Sequence, residues 1–216
     1  MDRAAVPVFV NVHDRLTDLQ ALLGWLAAAG HERIILLDNA STYPPLLEWY
    51  KRDCPHTVVR LGRNLGKLAL WKAGLEPSEP FVYTDPDVVP TEDCPPDLVE
   101  RLAHLLARHP VPKVGPGLFL DDVPPSLRSL SWERGPQING REIEPGARLS
   151  LIDTTFALYR PGIRFNLEAI RTDHPYQARH LSWYREKNPT DEDRFYLQHA
   201  IAGPEGSSWA QQVRCG

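Results

Sequence analysis

Strand and helix patterns alternate through residues 1–90, and that alternation leaves few folds open to the chain. Val6–Val12 reads as a buried strand. Thr17-Asp18-Leu19-Gln20 reads as a capping box ahead of a helix carrying Leu19, Leu22, Leu23 and Leu26 at helical spacing, with Gly30 as its stop. Ile34–Leu37 is a second strand. Pro44-Pro45 suits the first turn of a helix running to about Arg52. Thr57–Leu61 is a third strand, Gly62–Gly66 a turn, Lys67–Ala73 a short helix and Phe81–Thr84 a fourth strand. The pattern predicts an α/β fold with a mostly parallel central sheet flanked by helices. In such sheets ligands bind outside the carboxyl ends of the strands. Polar clusters stand at all four of those ends: Asn11 and His13, then Asp38, Asn39 and Ser41, then Arg63, Asn64 and Lys67, then Asp85 and Asp87. Any one alone is an ordinary polar loop. Four on one rim point to a nucleotide-type pocket.

The fourth cluster has its own chemistry. Pro86 has no N–H for a sheet, so the strand stops there, and Asp85, preceding a proline, is biased toward extended backbone. Extended geometry through Pro86 would send the Asp85 and Asp87 carboxylates out on one side. Two hard oxygen donors on one face suit Mg²⁺ or Mn²⁺. Taken alone, Asp-Pro-Asp reads better as a solvated turn; the other polar clusters on the rim are what favour the metal reading.

Downstream, Asp93 is placed to cap a helix opening at Pro95-Pro96, with an apolar stripe of Leu98, Leu102, Leu105 and Leu106. From Pro110 to Arg148 glycines and prolines interrupt every pattern, apart from a short helix around Ser126–Glu133. Leu149–Tyr159 reads as one strand with Asp153 inside it, against strand propensity. Tyr176–Tyr184 is a short segment carrying His180, Trp183 and Tyr184. Thr190 or Asp191 caps a last helix, Glu192–Ala200. The chain reads as a single domain, 1–216: a nucleotide-binding half at 1–90, an acceptor-side half at 91–203 and a loose tail at 204–216.

Charge narrows the partners. The 216 residues carry a net charge of −4 with no long basic run, which excludes nucleic acid as the main partner. An anionic ligand would then need a metal or a few placed cations, such as Arg63 and Lys67. Cys54, Cys94 and Cys215 form no CxxC pair, as in a reducing compartment, and no run is long enough for a transmembrane segment. The expected location is the cytoplasm, or the periphery of a membrane.

Four blocks, in order, resemble the GT-A-type, family-2-like nucleotide-sugar glycosyltransferases. Leu37-Asp38-Asn39-Ala40-Ser41-Thr42 resembles the family's DNAST block. Asn64-Leu65-Gly66 followed by Gly74-Leu75 resembles its NxG…GL helix, with Lys72 at the usual second Asn. Thr84-Asp85-Pro86-Asp87 is similar to its DxD motif, and Glu192-Asp193 through Ala200 and Gly203 to its ED helix. Val10-Asn11-Val12-His13 departs from the usual first-strand ending, and Arg160–Asp191 has no counterpart. The resemblance implies a GT-A fold and sugar transfer from a nucleotide-sugar donor to a carbohydrate or lipid-linked acceptor, with Mn²⁺ or Mg²⁺ as cofactor. It implies Asp38 as the reader of the nucleotide base, Asp85 and Asp87 at the metal, and His180 as a third ligand or diphosphate contact. Asp193 is then the catalytic base of an inverting reaction, with Asp153 as the substrate-orienting alternative. Trp132, Trp183 and Tyr184 are candidates for a sugar-stacking wall. Two rivals remain: a sugar-nucleotide pyrophosphorylase, disfavoured because Val8–Arg15 holds no glycine, and a non-catalytic nucleotide- or sugar-binding module of the same fold.

Overall fold

The computed structural model describes residues 2–123, 140–185 and 187–200. The expected short helix at 126–133, Trp132, the tail at 204–216 and Cys215 lie outside them. The first half follows the sequence closely: β1 (Val8–Val12), α1 (Thr17–Ala28), β2 (Ile34–Asp38), α2 (Pro44–Arg52), β3 (Thr57–Arg60), a 3-10 turn (Gly66–Leu68) leading into α3 (Ala69–Lys72), and β4 (Phe81–Thr84). There follow β5 (Val88–Pro90), α4 (Leu98–Arg108), β6 (Lys113–Leu118), β7 (Arg141–Glu144), β8 (Ala147–Leu151), β9 (Ala157–Tyr159), β10 (Glu168–His180), a 3-10 turn (Leu181–Arg185) and α5 (Asp191–His199).

One sheet runs β3-β2-β1-β4-β9-β6-β10-β8-β7, with β5 paired to β10. β3, β2, β1 and β4 are parallel, as expected, and β6 runs parallel to β10. β5, β8 and β9 run against the other strands. Alternation along the strands supplies two apolar layers. Val8, Val10, Val12 and Val82 face α1 and α4 on one side; Phe9, Phe81 and Tyr83 face Leu70 and Trp71 of α3 on the other. Leu98, Leu102, Leu105 and Leu106 bury their stripe as expected. Gly30 ends α1 at φ 83°, the left-handed region that suits glycine.

Three elements differ from the sequence reading. Residues 113–118 form a central strand although they contain Gly115, Pro116 and Gly117. The glycines are needed for close approach: a Cβ on Gly115 would stand 2.3 Å from the Phe156 carbonyl, and one on Gly117 2.6 Å from that of Thr172. Pro116 pairs with Thr172 where the β6–β10 register slips, and a bulge tolerates the missing donor. Residues 149–159 are two strands, not one, and Asp153 sits in the break between them, which removes its conflict with strand propensity. Finally, α4 opens at Leu98 after Asp97, with no side-chain cap from Asp93.

The start of α1 differs as well. Thr17-Gln20 makes no capping box. The carboxylate of Glu192, from the other end of the described chain, accepts from Leu16 N (2.8 Å), Thr17 N (3.1 Å) and Thr17 Oγ1 (2.7 Å). A carboxylate there satisfies open N–H groups and complements the helix dipole. Removing it in Glu192→Ala is expected to cost about 1–2 kcal/mol of stability in urea denaturation with an unchanged m-value. An unchanged midpoint would remove Glu192 from the cap.

Candidate active site

Because β1 to β4 are parallel, the loops after them share one rim. After β1, Asp14 takes φ 50° and its fully buried carboxylate accepts from Thr42 N (2.5 Å) and Tyr43 N (2.7 Å), ahead of α2. Ser41 Oγ accepts in return from Asp14 N at 3.1 Å. Asn39 accepts from Leu65 N (2.6 Å) and donates to Gly66 O (2.9 Å); Asn11 donates to the same carbonyl at 3.3 Å, and Asn64 Oδ1 accepts from Gly66 N at 2.9 Å. These expected donor-binding residues thus shape the Asn64–Lys67 loop. His13 stands beside Tyr196, with Nε2 3.6 Å from Asp14 Oδ2 and no hydrogen bond at either ring nitrogen. Arg63 is exposed on the loop.

Asp38, expected to read a nucleotide base, is fully buried. Its Oδ1 accepts from Ser41 N at 3.3 Å, and Arg60 Nε stands 2.7 Å from Oδ2, outside hydrogen-bond alignment. It braces the turn after β2 through Oδ1, and its buried Oδ2 has no hydrogen-bond partner.

Asp85 and Asp87 take different hydrogen-bond partners, although Asp85 still feels the charge of Asp87. The chain turns at Pro86-Asp87 to enter β5, and the carboxylates part into two clusters. Asp85 Oδ2 accepts from Thr154 Oγ1 at 2.9 Å. The neighbouring Asp153 is held through Oδ2 by Lys67 Nζ at 2.7 Å, while its buried Oδ1 has no hydrogen-bond partner. Burial first, then Asp87 and Asp153, push the Asp85 carboxyl well above the usual carboxylate range, against the Thr154 bond and Lys67.

Asp87 has other partners. Ser182 Oγ donates to its Oδ2, and His180 Nδ1 stands 3.5 Å from the same oxygen without a hydrogen bond. The β5–β10 pairing, with His180 opposite Val88, puts the ring there, and Trp183 stacks under it at 4.7 Å. Burial pushes the Asp87 carboxyl up, but His180, Arg15, Ser182 and Arg185 outweigh it and hold the group below its ordinary value. Trp183 is thereby buried, and Tyr184 bonds Asp122 at 2.7 Å. Buried Trp183 has no open face for a sugar-stacking wall, while Tyr184 is half-buried.

Asp193, expected as the base, is closed off. It is fully buried as the third residue of α5, in a capping box with Thr190. Its oxygens accept from Arg185 Nε (2.9 Å), Thr190 N (2.9 Å), Thr190 Oγ1 (2.7 Å) and Arg15 Nη1. Arg185 also grips buried Asp18 at 2.9 and 2.5 Å. Every oxygen of Asp193 is committed, so an acceptor hydroxyl finds no room there. This correction leaves Asp153 as the accessible carboxylate, 27% exposed at its side chain.

Among the described residues no three His, Cys, Asp or Glu side chains converge as a metal-ligand set. Sequence reasoning missed Thr154, Ser182, Arg15, Arg185 and buried Lys113, whose Nζ donates to the Asp153 carbonyl at 3.0 Å. Only the contrast of a lysine inside an apolar layer would have marked Lys113. A cleft of about 380 Å³ opens at the end of β6 between Gly117, Phe119, Arg148, Thr172 and Gln177, within the size range of small-ligand sites.

The Asp193 network makes a prediction with a defined sign. Burial raises its carboxyl, but Arg185, Arg15 and Thr190 prevail and bring it down to about 2. A depressed folded value contributes stability above the ordinary carboxylate range, lost as pH falls toward the folded value. Asp193→Asn is expected to destabilise by about 3 kcal/mol at neutral pH, since it leaves buried Arg15 and half-buried Arg185 short of a counter-charge. That penalty should shrink between about pH 4 and pH 2. A penalty independent of pH in urea titrations would contradict the assignment.

No family model matches the chain, and no curated protein matches it. Among solved structures it is similar to glucosyl-3-phosphoglycerate synthase from Mycobacterium tuberculosis, in complex with phosphoglyceric acid, at 17% identity and a TM-score of 0.45. The match covers 72% of this chain and 56% of that one. The chain thus spans little more than half the length of that structure, and a likeness of this size assigns neither activity nor ligand.

Proposed function

We propose that this chain is a GT-A-type glycosyltransferase, moving a sugar from a nucleotide-diphosphate donor to a carbohydrate or lipid-linked acceptor with Mn²⁺ or Mg²⁺. One observation carries the reading. Two carboxylates at the end of β4 open onto two polar clusters, Asp87 toward His180 and Asp85 toward Asp153, Thr154 and Lys67, on the rim where an α/β sheet binds ligands.

The donor set suits a hard divalent cation. Asp85 is crowded by like charge, and the buried His180 Nδ1 beside Asp87 has no hydrogen bond. Mg²⁺ needs only one or two carboxylates from the protein, sharing the ion with substrate phosphates. Asp87 and His180 would hold the ion, with Asp85 reaching it directly, through water or through the ribose. When bound, the cation neutralises the leaving diphosphate. The chain's own groups do the rest. Asn11, Asn39 and Asn64 fix the loop that carries Arg63 and Lys67, whose charges face the phosphates. His13 brings two ring nitrogens without hydrogen-bond partners to the donor side of the rim. Asp153 takes the role expected of Asp193: its carboxylate, 27% exposed at the side chain, accepts the proton of the attacking hydroxyl, in an inverting transfer. The cleft beyond β6 supplies room on the acceptor side. The split into a nucleotide-binding half at 1–90 and an acceptor half at 91–203 belongs to this reading, as does a cytoplasmic or membrane-peripheral location. Among the described residues no helix is long and apolar enough to cross a membrane.

The enclosure of Asp193 favours one other reading, a non-catalytic nucleotide- or sugar-binding module. Calorimetric titration with nucleoside diphosphates, with and without Mn²⁺, followed by transfer assays with nucleotide sugars, separates the two. Metal-dependent binding with transfer is the expected result, and binding with neither donor hydrolysis nor transfer to any acceptor would favour the module. Asp87→Ala is expected to abolish the metal-dependent part of the affinity and, because the carboxylate is buried beside Ser182, His180 and Arg15, to lower the thermal midpoint as well, so binding is compared below that midpoint. Asp153→Asn is expected to lower turnover by at least about a hundredfold, in the range for a lost general base, with donor affinity kept. Near-normal turnover by that variant, or a product of retained anomeric configuration, would remove Asp153 from the role of base.

A further inference from the structure

Lys113 opens β6, opposite Tyr159 of β9, and is 1% exposed. It belongs to the layer of Phe81, Tyr83, Tyr159, Trp71 and Phe165, where Met or Leu would pack without a buried amine. An amine in that layer needs a compensating partner. Its Nζ donates to the Asp153 carbonyl at 3.0 Å, stands 3.4 Å from Tyr159 Oη, and lies 4.3 Å and 5.1 Å from the Phe165 and Tyr159 ring centroids. The rings stabilise a cation, and the Asp153 carbonyl accepts its hydrogen bond.

The carbonyl it holds belongs to the corner between β8 and β9. That corner meets the site twice: Asp153 Oδ2 accepts from Lys67, and Thr154 Oγ1 donates to Asp85. One buried donor therefore stands beneath both contacts. We propose that Lys113 is a positioning residue that fixes the Asp153–Thr154 corner through the Asp153 carbonyl, and that its charge state sets how firmly the corner is held. Its catalytic consequence rests on the glycosyltransferase reading; the hold on the corner does not.

The charged and titratable groups facing Lys113 are Asp153, Arg171, Lys67 and the Tyr159 phenol. Arg171 is itself anchored by Nε on the Leu151 carbonyl at 2.8 Å. Burial brings the Lys113 amine down to about 7; Asp153 opposes this, and Arg171 and Lys67 add to it. The proton thus leaves near neutrality. A charged donor makes a bond roughly twice as strong as a neutral one, so the corner loosens as pH rises without being freed.

Amide hydrogen exchange at residues 152–156 tests this in the unmodified protein and in Lys113→Met, across pH 6 to 8, after correction for intrinsic rates. Protection in the unmodified protein is expected to fall about threefold through an inflection near pH 7. In Lys113→Met it should be lower by about tenfold and flat with pH, while distant strands such as β2 keep their protection. In turnover, Lys113→Met should lower kcat with little change in donor KM, and the inflection near pH 7 should vanish. Equal protection of the corner in both proteins would overturn the proposal. So would a pH-independent corner in the unmodified protein, a measurement that stands even where the variant does not fold. If the unmodified protein transfers no sugar, the glycosyltransferase reading fails, and the exchange data alone decide the role of Lys113.

Discussion

One buried and one half-buried guanidinium hold this molecule's site together. Arg15, just before α1, and Arg185, just before α5, both bond Asp193, and Arg185 also bonds Asp18. Buried charges of this kind stand only when every partner is present, because each would otherwise meet the full cost of leaving water. The pairing draws the last described helix onto the first, lets Glu192 close the N-terminus of α1, and leaves positive charge beside Asp87. The ED pair at Glu192-Asp193 is thus spent on architecture. The same residue types that suggest a base in the sequence act here as a staple.

The site follows from what the staple and the sheet leave open. Asp87 is ionised and framed by His180, Ser182 and the two arginines. Asp85 sits where burial and neighbouring carboxylates resist its ionisation. A group poised to accept positive charge and a group already supported in its charge lie on either side of one turn. That asymmetry is what a metal-bound diphosphate would exploit. Asp153 and Lys67 complete the Asp85 side, with Lys113 beneath.

Much of the nucleotide-side fold was legible. Periodicities of 3.6 and 2, with Gly30, Pro44-Pro45 and Pro86 as punctuation, located β1 to β4 and α1 to α3 to within a few residues. Local signals were enough because each element there is short and bounded by its own breakers. The second half was not legible for the opposite reason. β6 contains Gly115, Pro116 and Gly117, which act as breakers locally and as necessities for close strand packing globally. β10 runs from Glu168 to His180 across a register shift, so no single alternation spans it. In the site, the residue types on the rim were readable, but their duties were not. Asp38 and Asp193 carry motif positions and are fully buried. Asp153 looked misplaced in a strand and lies in an open corner instead. Sequence shows which side chains reach the rim; only packing shows which of them still have an oxygen to spare.

The central claim is that Asp87 and its neighbours receive a metal-bound nucleoside diphosphate. The most direct measurement is anomalous scattering at the manganese edge from crystals grown with Mn²⁺ and a nucleoside diphosphate. The account predicts a manganese peak in coordination with Asp87, beside His180 and at the rim of β4, with the diphosphate completing its ligands. Manganese bound elsewhere, or a nucleotide seated away from Asp85 and Asp87, would contradict it.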